Sequence, residues 1–377
     1  MTSATRQRIA VGLLLAYVIF LAVTGLNPRD LSRGNEVRWL PDEPGIRFDG
    51  HGLAYTDAPA GGQPGAGFAA FTLLLDLRLA ATQGRRGFEH VVTVFGDTTA
   101  SQLLIGQWKD SLIVTNGADY DYRQRRPRLS ATLAPDDGHW HLLAVTADDA
   151  GTRLYLDGEE VAAMVETLTL PAEDGDFHLL LGNSVHGNQG WRGSIRAVAL
   201  LPRALDPAGI GEVSGRLEET SLDALGAGAP ELLFVFGEGR GRRSADLGRR
   251  GLALSFPPDR VILEPEFFQP GFRDARLSDV VVNLFGFVPL GILGVLVLRG
   301  AERSRTLGPV IIPVLVVAGG IALSACIEIA QAWMPMRSSS LLDLLLNSAG
   351  TAVGALAGLL LARQLERLLV PAAQRES

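Results

Sequence analysis

Four stretches of the chain run apolar for about the length of a bilayer, and a long middle section alternates instead. Residues 9–26 (IAVGLLLAYVIFLAVTGL) carry no charge. Residues 280–298, 309–333 and 341–361 form a second apolar block near the C-terminus, interrupted only by isolated polar side chains. These four runs predict transmembrane helices. Between residues 36 and 215 the period falls to two. Residues 71–79 (FTLLLDLRL) place Phe71, Leu73, Leu75, Leu77 and Leu79 on one face of a strand. Short runs of the same kind follow at 91–95, 103–105, 112–114, 140–146, 153–156, 177–181 and 195–201. Gly96-Asp97, Asp157-Gly158 and Asp174-Gly175 supply turns between them. Many short strands at close spacing predict an all-β sandwich.

Residues 216–276 read as a β extension and linker. Residues 232–236 (LLFVF) predict a strand, 237–250 a Gly/Arg-rich loop, and 252–256 and 261–263 edge strands. Pro257, Pro258, Pro265 and Pro270 then mark a linker back to the apolar block. Pro289 removes a backbone hydrogen bond and predicts a kink in the second span. Gly350, Gly354 and Gly358 recur every four residues and predict a close helix contact.

Charge adds an orientation. The 377-residue chain has a net charge of −7, but residues 27–278 hold 25 Lys and Arg against 35 Asp and Glu. An acidic middle domain argues against a nucleic-acid partner. Arg6 and Arg8, then Arg299, Arg303 and Arg305, then Arg363 and Arg367 all fall on one side of four spans, and only Arg337 falls in the short loop on the other. The excess of positive charge predicts a multi-pass protein of the cell (inner) membrane. Residues 1–8 and 362–377 would lie in the cytoplasm and the β domain outside it. The first apolar run is long for a signal peptide and lacks an A-x-A site, which favours a retained anchor; Val23-Thr24-Gly25 is the alternative cleavage region. The single cysteine, Cys326, excludes an intrachain disulfide framework.

The polar residues of the C-terminal block then gain meaning. Asp279 and Asn283, Glu328 and Gln331, and Asp343 and Asn347 form pairs at i,i+3 or i,i+4, each on one helix face. The predicted orientation brings all six to the outer end of the spans, together with Arg337. Polar groups at that depth face protein or water. Their alternatives are interhelical hydrogen bonding and a site for a polar headgroup. Glu328, Asp279 and Asp343 are the candidate acids or bases, and Arg337 the candidate partner of Glu328 or a phosphate.

These residues carry a resemblance. The run D-x-x-x-N-L-F-G-F-V-P-L-G (279–291), E-x-x-Q (328–331), P-x-R (335–337) and D-x-x-x-N-x-x-G (343–350) resemble the VanZ-like membrane family over residues 279–361. The resemblance implies a part in the envelope response to glycopeptide antibiotics. It names no reaction. A second resemblance covers residues 36–215. IRFDGHGLAY (46–55), GHWHLLAVTADDAGTRLYLDGEEV (138–161), LLLGN (179–183) and WRGSIRAVALLPRALDPAGI (191–210) are similar to a laminin-G-like, concanavalin-type jelly roll. That family closes on a short helical turn, here expected from Asp206. The expected fold is therefore four transmembrane α-helices plus an all-β jelly-roll ectodomain inserted after the first span.

Within the β domain no E-x-D-x-x-E run supports glycoside hydrolysis. The resemblance allows calcium at the rim, with Asp49 and Asp157 as its residues; no other cofactor is indicated. His139 and His141 are expected to share a strand face around Trp140. The aromatic, basic segment 120–128 (YDYRQRRPR) offers Tyr120, Tyr122, Arg123, Arg125 and Arg126 to an anionic glycan or headgroup, or is simply a solvated loop. The leading expectation is a membrane protein that binds glycan or wall material outside the cell and contacts membrane lipids. The alternatives are an outer-leaflet enzyme on a lipid-linked wall precursor, with Glu328 and an Asp as acid and base, and a scaffold. The absence of a nucleotide loop, nucleophile motif or zinc signature counts against the enzyme. Nothing in the sequence bears on oligomeric state.

Overall fold

The computed structural model describes residues 3–27, 34–59, 68–80, 87–96, 102–120, 125–133, 138–171, 177–218, 230–270, 277–300, 310–335 and 337–369. The chain divides into two compact units, residues 32–264 and residues 1–31 with 265–377.

The first unit is the β sandwich. Its strands are β1 (Val37–Trp39), β2 (Ile46–Asp49), β3 (Ala54–Thr56), β4 (Phe71–Leu79), β5 (Glu89–Phe95), β6 (Leu103–Trp108), β7 (Ser111–Asn116), β8 (Arg128–Thr132), β9 (His141–Asp148), β10 (Gly151–Leu156), β11 (Glu159–Met164), β12 (His178–Leu181), β13 (Arg192–Leu201), β14 (Leu232–Val235), β15 (Arg243–Ala245) and β16 (Ala253–Ser255). One sheet runs β1-β2-β13-β4-β9-β10-β11, with β14 also paired to β13; the other runs β15-β16-β3-β12-β5-β6-β7-β8. Every pairing within these sheets is antiparallel.

The core lies between the sheets. Phe71, Leu73, Leu75, Leu77 and Leu79 all point into it, as the alternation requires. Trp191 is fully buried; its indole N–H donates to Gln107 Oε1 at 2.7 Å and its ring lies 5.9 Å from that of Phe48. The opposite face of β4 is also covered. Leu74 packs with Ile210 and Val213 of a helix at Pro207–Glu218 and with Leu233 of β14. This helix, α2 in chain order after the N-terminal helix α1 (Ser3–Leu26), is a full 12 residues rather than a turn. Asp206 caps it, its carboxylate accepting from Gly209 N–H at 2.8 Å.

Two expectations in the extension are corrected. The segment 237–250 is not only a loop, because it contains β15. Residues 261–263 are not a strand; instead the N–H groups of Leu263 and Glu264 donate to the Val185 carbonyl. His139 and Trp140 precede β9, so His139 and His141 do not share a strand face.

The second unit is helical: α1, α3 (Leu277–Gly286), α4 (Val288–Gly300), α5 (Ile311–Gln331) and α6 (Leu341–Leu369). Four helical segments among the described residues are long and apolar enough to cross a membrane, with α3 and α4 together making one of them. The Pro289 kink is a break, since Phe287 leaves the helix between α3 and α4. Proline cannot donate to the preceding turn, and the Gly286 carbonyl at the break accepts from the Tyr17 hydroxyl of α1 at 2.7 Å. α6 runs on past the apolar stretch because Ala362–Arg363–Gln364–Leu365 are strong helix formers.

Candidate functional site

The helical unit assembles its polar residues by letting backbones touch. A Cβ on Gly350 would sit 2.0 Å from the Leu284 carbonyl, and one on Gly354 would sit 2.0 Å from the Val288 carbonyl. A Cβ on Gly291 would sit 2.2 Å from the Thr351 carbonyl. No side chain fits at these positions, so α6 lies directly against α3 and α4.

Glu328 stands on the last turns of α5 and is only 2% exposed. Its Oε2 accepts the Ser340 N–H at 2.7 Å. Ser340 caps α6, its Oγ accepting from Asp343 N–H at 3.2 Å. The carboxylate thus fastens the end of α5 to the start of α6. Asp343 accepts a hydrogen bond from Asn283 of α3 and has Asp279 and Glu328 as charged neighbours. Asp279 is exposed, with Ser278 Oγ donating to its Oδ1 at 3.2 Å. Asn347, one turn along α6, is buried; its Nδ2 donates to Ser324 Oγ at 2.9 Å, and its Oδ1 has no hydrogen-bond partner among the described residues.

The group therefore comprises Asp279, Asn283, Glu328 and Asp343, with Asn347 a turn away. Gln331 does not join it, because its Nε2 donates to the Gly25 carbonyl at the end of α1. Arg337 is half-buried in the loop before α6, where its N–H donates to the Met334 carbonyl at 3.0 Å; among the described residues it makes no ion pair with Glu328. Ser324, Ser340 and Tyr17 are contributors that sequence spacing did not single out. The loop carrying Ser339 and Ser340 is held by Phe268 and Gln269, whose N–H groups donate to Ser339 Oγ and O. Among the described residues no group of three or more His, Cys, Asp or Glu is placed to hold a metal ion.

In the β unit, Tyr122 and Arg123 lie outside the described residues. Tyr120 is packed: its ring stacks on Phe88 at 4.9 Å and on Trp108 at 6.0 Å, and its hydroxyl accepts from Arg128 at 2.6 Å. Arg125 and Arg126 are exposed. Asp49 accepts from Arg47 Nε at 3.0 Å. Asp157 takes the left-handed turn position at φ +52°, and both its oxygens are used, by His141 Nδ1 at 2.8 Å and by Leu142 N–H at 2.8 Å. The guanidinium groups of Arg78 and Arg196 lie 4.6 and 4.9 Å from the Trp140 ring centroid. Burial raises Asp76 above the usual carboxylate range despite its bond to Arg196. Burial also lowers fully enclosed His90, whose Nδ1 meets Thr93 Oγ1 at 3.2 Å.

Comparison with known proteins separates the same two parts. Residues 64–211 match the family described as the concanavalin A-like lectin/glucanases superfamily. Residues 248–362 match the family described as VanZ/LLP1. No curated protein matches. Among solved structures, the binding domain of botulinum neurotoxin DC in complex with rat synaptotagmin II is 12% identical, with a TM-score of 0.37 over 49% of this chain and 46% of that one. The Ruminococcus gnavus IT-sialidase CBM40 bound to alpha2,3 sialyllactose is 14% identical, with a TM-score of 0.34 over 46% and 97%. A native heptameric SAP-like pentraxin from Limulus polyphemus is 8% identical, with a TM-score of 0.36 over 60% and 96%. This chain spans under half the length of the first of these. Two antiparallel sheets and four long apolar helices agree with the two family matches, and the chain is a membrane protein that carries a concanavalin A-like domain and a VanZ domain.

Proposed function

We propose that this protein sits in the cell membrane with its β unit outside, where it binds glycan. In this reading its VanZ domain receives the polar head of a lipid or lipid-linked wall precursor without catalysing a reaction, and the protein alters the response to glycopeptide antibiotics. The observation that carries the reading is the arrangement inside the helical unit. Buried Glu328 and Asn347 sit with Ser324, Asn283 and Asp343 among helices whose outward faces are apolar, and the side-chain Oδ1 of Asn347 is left without a partner among the described residues. Unpaired polar groups in a span are costly and mark sites rather than filler. The concanavalin A-like match supports the glycan half, and the positive-inside pattern supports the orientation.

Deletion in the native host, followed by complementation, tests it. The wild type restores glycopeptide tolerance, whereas Glu328→Gln and Asp343→Asn reach the membrane at normal abundance and do not. Full complementation by both variants would reduce the cluster to helix packing. Reporter fusions at residues 150 and 303 check the orientation: activity outside at 150 and inside at 303 is expected, and the reverse removes the external site.

A further inference from the structure

The β unit holds a cavity of about 300 Å³ lined by Asn116, Gly117, Arg126, Pro127 and residues 166–169. That volume is at the small end of ligand pockets and suits one or two sugar rings. Its walls are fixed by hydrogen bonds between side chains and the backbone. Asn116 Nδ2 donates to the Thr169 carbonyl at 2.8 Å, and its Oδ1 accepts the Thr169 N–H at 2.9 Å. Thr152 Oγ1 donates to the Glu166 carbonyl at 2.8 Å, and Thr167 Oγ1 donates to the Asp148 carbonyl at 2.7 Å. Asn116 and Thr167 are thus spent on structure.

Two charged side chains are not. Arg128 is engaged with Tyr120 and Arg125 has a partner. Arg126 forms no hydrogen bond or ion pair among the described residues, and neither does the Glu166 carboxylate. Arg126 is seated by Gly117. At φ +134° that residue tolerates no ordinary side chain, and a Cβ there would lie 1.7 Å from Arg126 Nη1. The guanidinium therefore reaches bare backbone at Gly117 through its Nη1 end, and Arg126 lines the cavity.

We infer that this cavity is a subsite for an acidic saccharide. The Arg126 fork donates to a carboxylate or phosphate on the sugar, since guanidinium matches those planar anions. Glu166 accepts from ring hydroxyls on the far side, and Pro127 supports the apolar ring face. The inference rests on the glycan-binding reading of the β unit and adds the charge class and the residues.

Full-length protein in detergent is titrated calorimetrically with a galacturonic acid hexamer, with the same hexamer fully methyl-esterified, and with mannose 6-phosphate. At least one acidic probe binds, and roughly tenfold more tightly than the neutral ester. The hexamer and the sugar phosphate tell carboxylate from phosphate. Arg126→Gln abolishes the preference for acid and Arg126→Lys restores part of it. Glu166→Gln weakens acidic and neutral probes alike. If neither acidic probe binds, or if Arg126→Gln leaves their affinity unchanged, the inference is wrong. Retained binding of the neutral ester would then leave the broader glycan reading standing, and loss of every probe would remove both.

Discussion

The two units of this chain differ in what they bury. In the β unit the interior is apolar and nearly sealed, with Ile46, Leu75, Leu143, Val145 and Trp191 fully enclosed. In the helical unit the large hydrophobics face outward: Phe20, Val282, Phe285, Leu356 and Leu360 are all more than half exposed. Only 6% of the first span's most apolar window and 33% of those of the third and fourth are buried. Beside two small apolar clusters around Phe287 and Val295, the helices enclose Ser324, Glu328, Asn347 and Thr351. The inversion follows from the solvent. Water drives apolar side chains together in a sandwich, whereas lipid supplies no such drive, so helices associate through small residues and polar contacts. Stability in one unit therefore rests on hydrophobic volume, and in the other on glycine surfaces and a few hydrogen bonds.

The contrast can be broken at several points. Trp191→Ala removes the largest enclosed side chain and the indole donor to Gln107 Oε1, so the β unit loses about 3–5 kcal/mol. Four of the five tryptophans lie in that unit, so fluorescence-monitored urea unfolding of the full chain reports it, and an unchanged midpoint would deny that the sandwich depends on this contact. Gly354→Val forces α6 off the Val288 carbonyl and costs the helical unit about 1–3 kcal/mol. Thermal aggregation of the detergent-solubilised protein should show the loss without moving the β-unit transition. Glu328→Leu leaves the Ser340 N–H buried without an acceptor, for about 1–3 kcal/mol. Glu328→Gln keeps a carbonyl acceptor there and loses far less; equal losses would show that the contact is not what holds α5 to α6. The smallest effect is pH-linked. Burial holds His90 below its ordinary pKa, so the unfolded state takes up the proton first. Stability from this residue is complete above the unfolded value and falls as pH drops from there toward the lowered folded value. His90→Gln flattens that part of the β unit's pH–stability profile.

Much of this was legible locally. A period of two marked β4 because Phe71 through Leu79 alternate into one core. The buried second face, Leu74 under Ile210 and Val213, was not, because its cover arrives from elements distant in sequence. The helical pairs Asp279–Asn283 and Asp343–Asn347 stood out as polar interruptions of apolar runs. Gln331 looked like one of them, yet it serves α1, since its acceptor Gly25 lies 306 residues away. Ser324 and Ser340 carried no signal because serine is unremarkable in a span until its partner is known. Arg126 was one of several arginines in a loop, and only the bare backbone of Gly117 and the engagement of its neighbours set it apart.

The central claim is that the polar interior of the helical unit is a ligand site and not merely a fastening. Native mass spectrometry of the full chain, released from mild detergent, tests it directly. The wild type should retain a lipid or lipid-linked adduct that is lost in Asn347→Leu at unchanged folded yield. A bare wild-type mass, or an adduct equally retained by Asn347→Leu and Asp343→Asn, would contradict it.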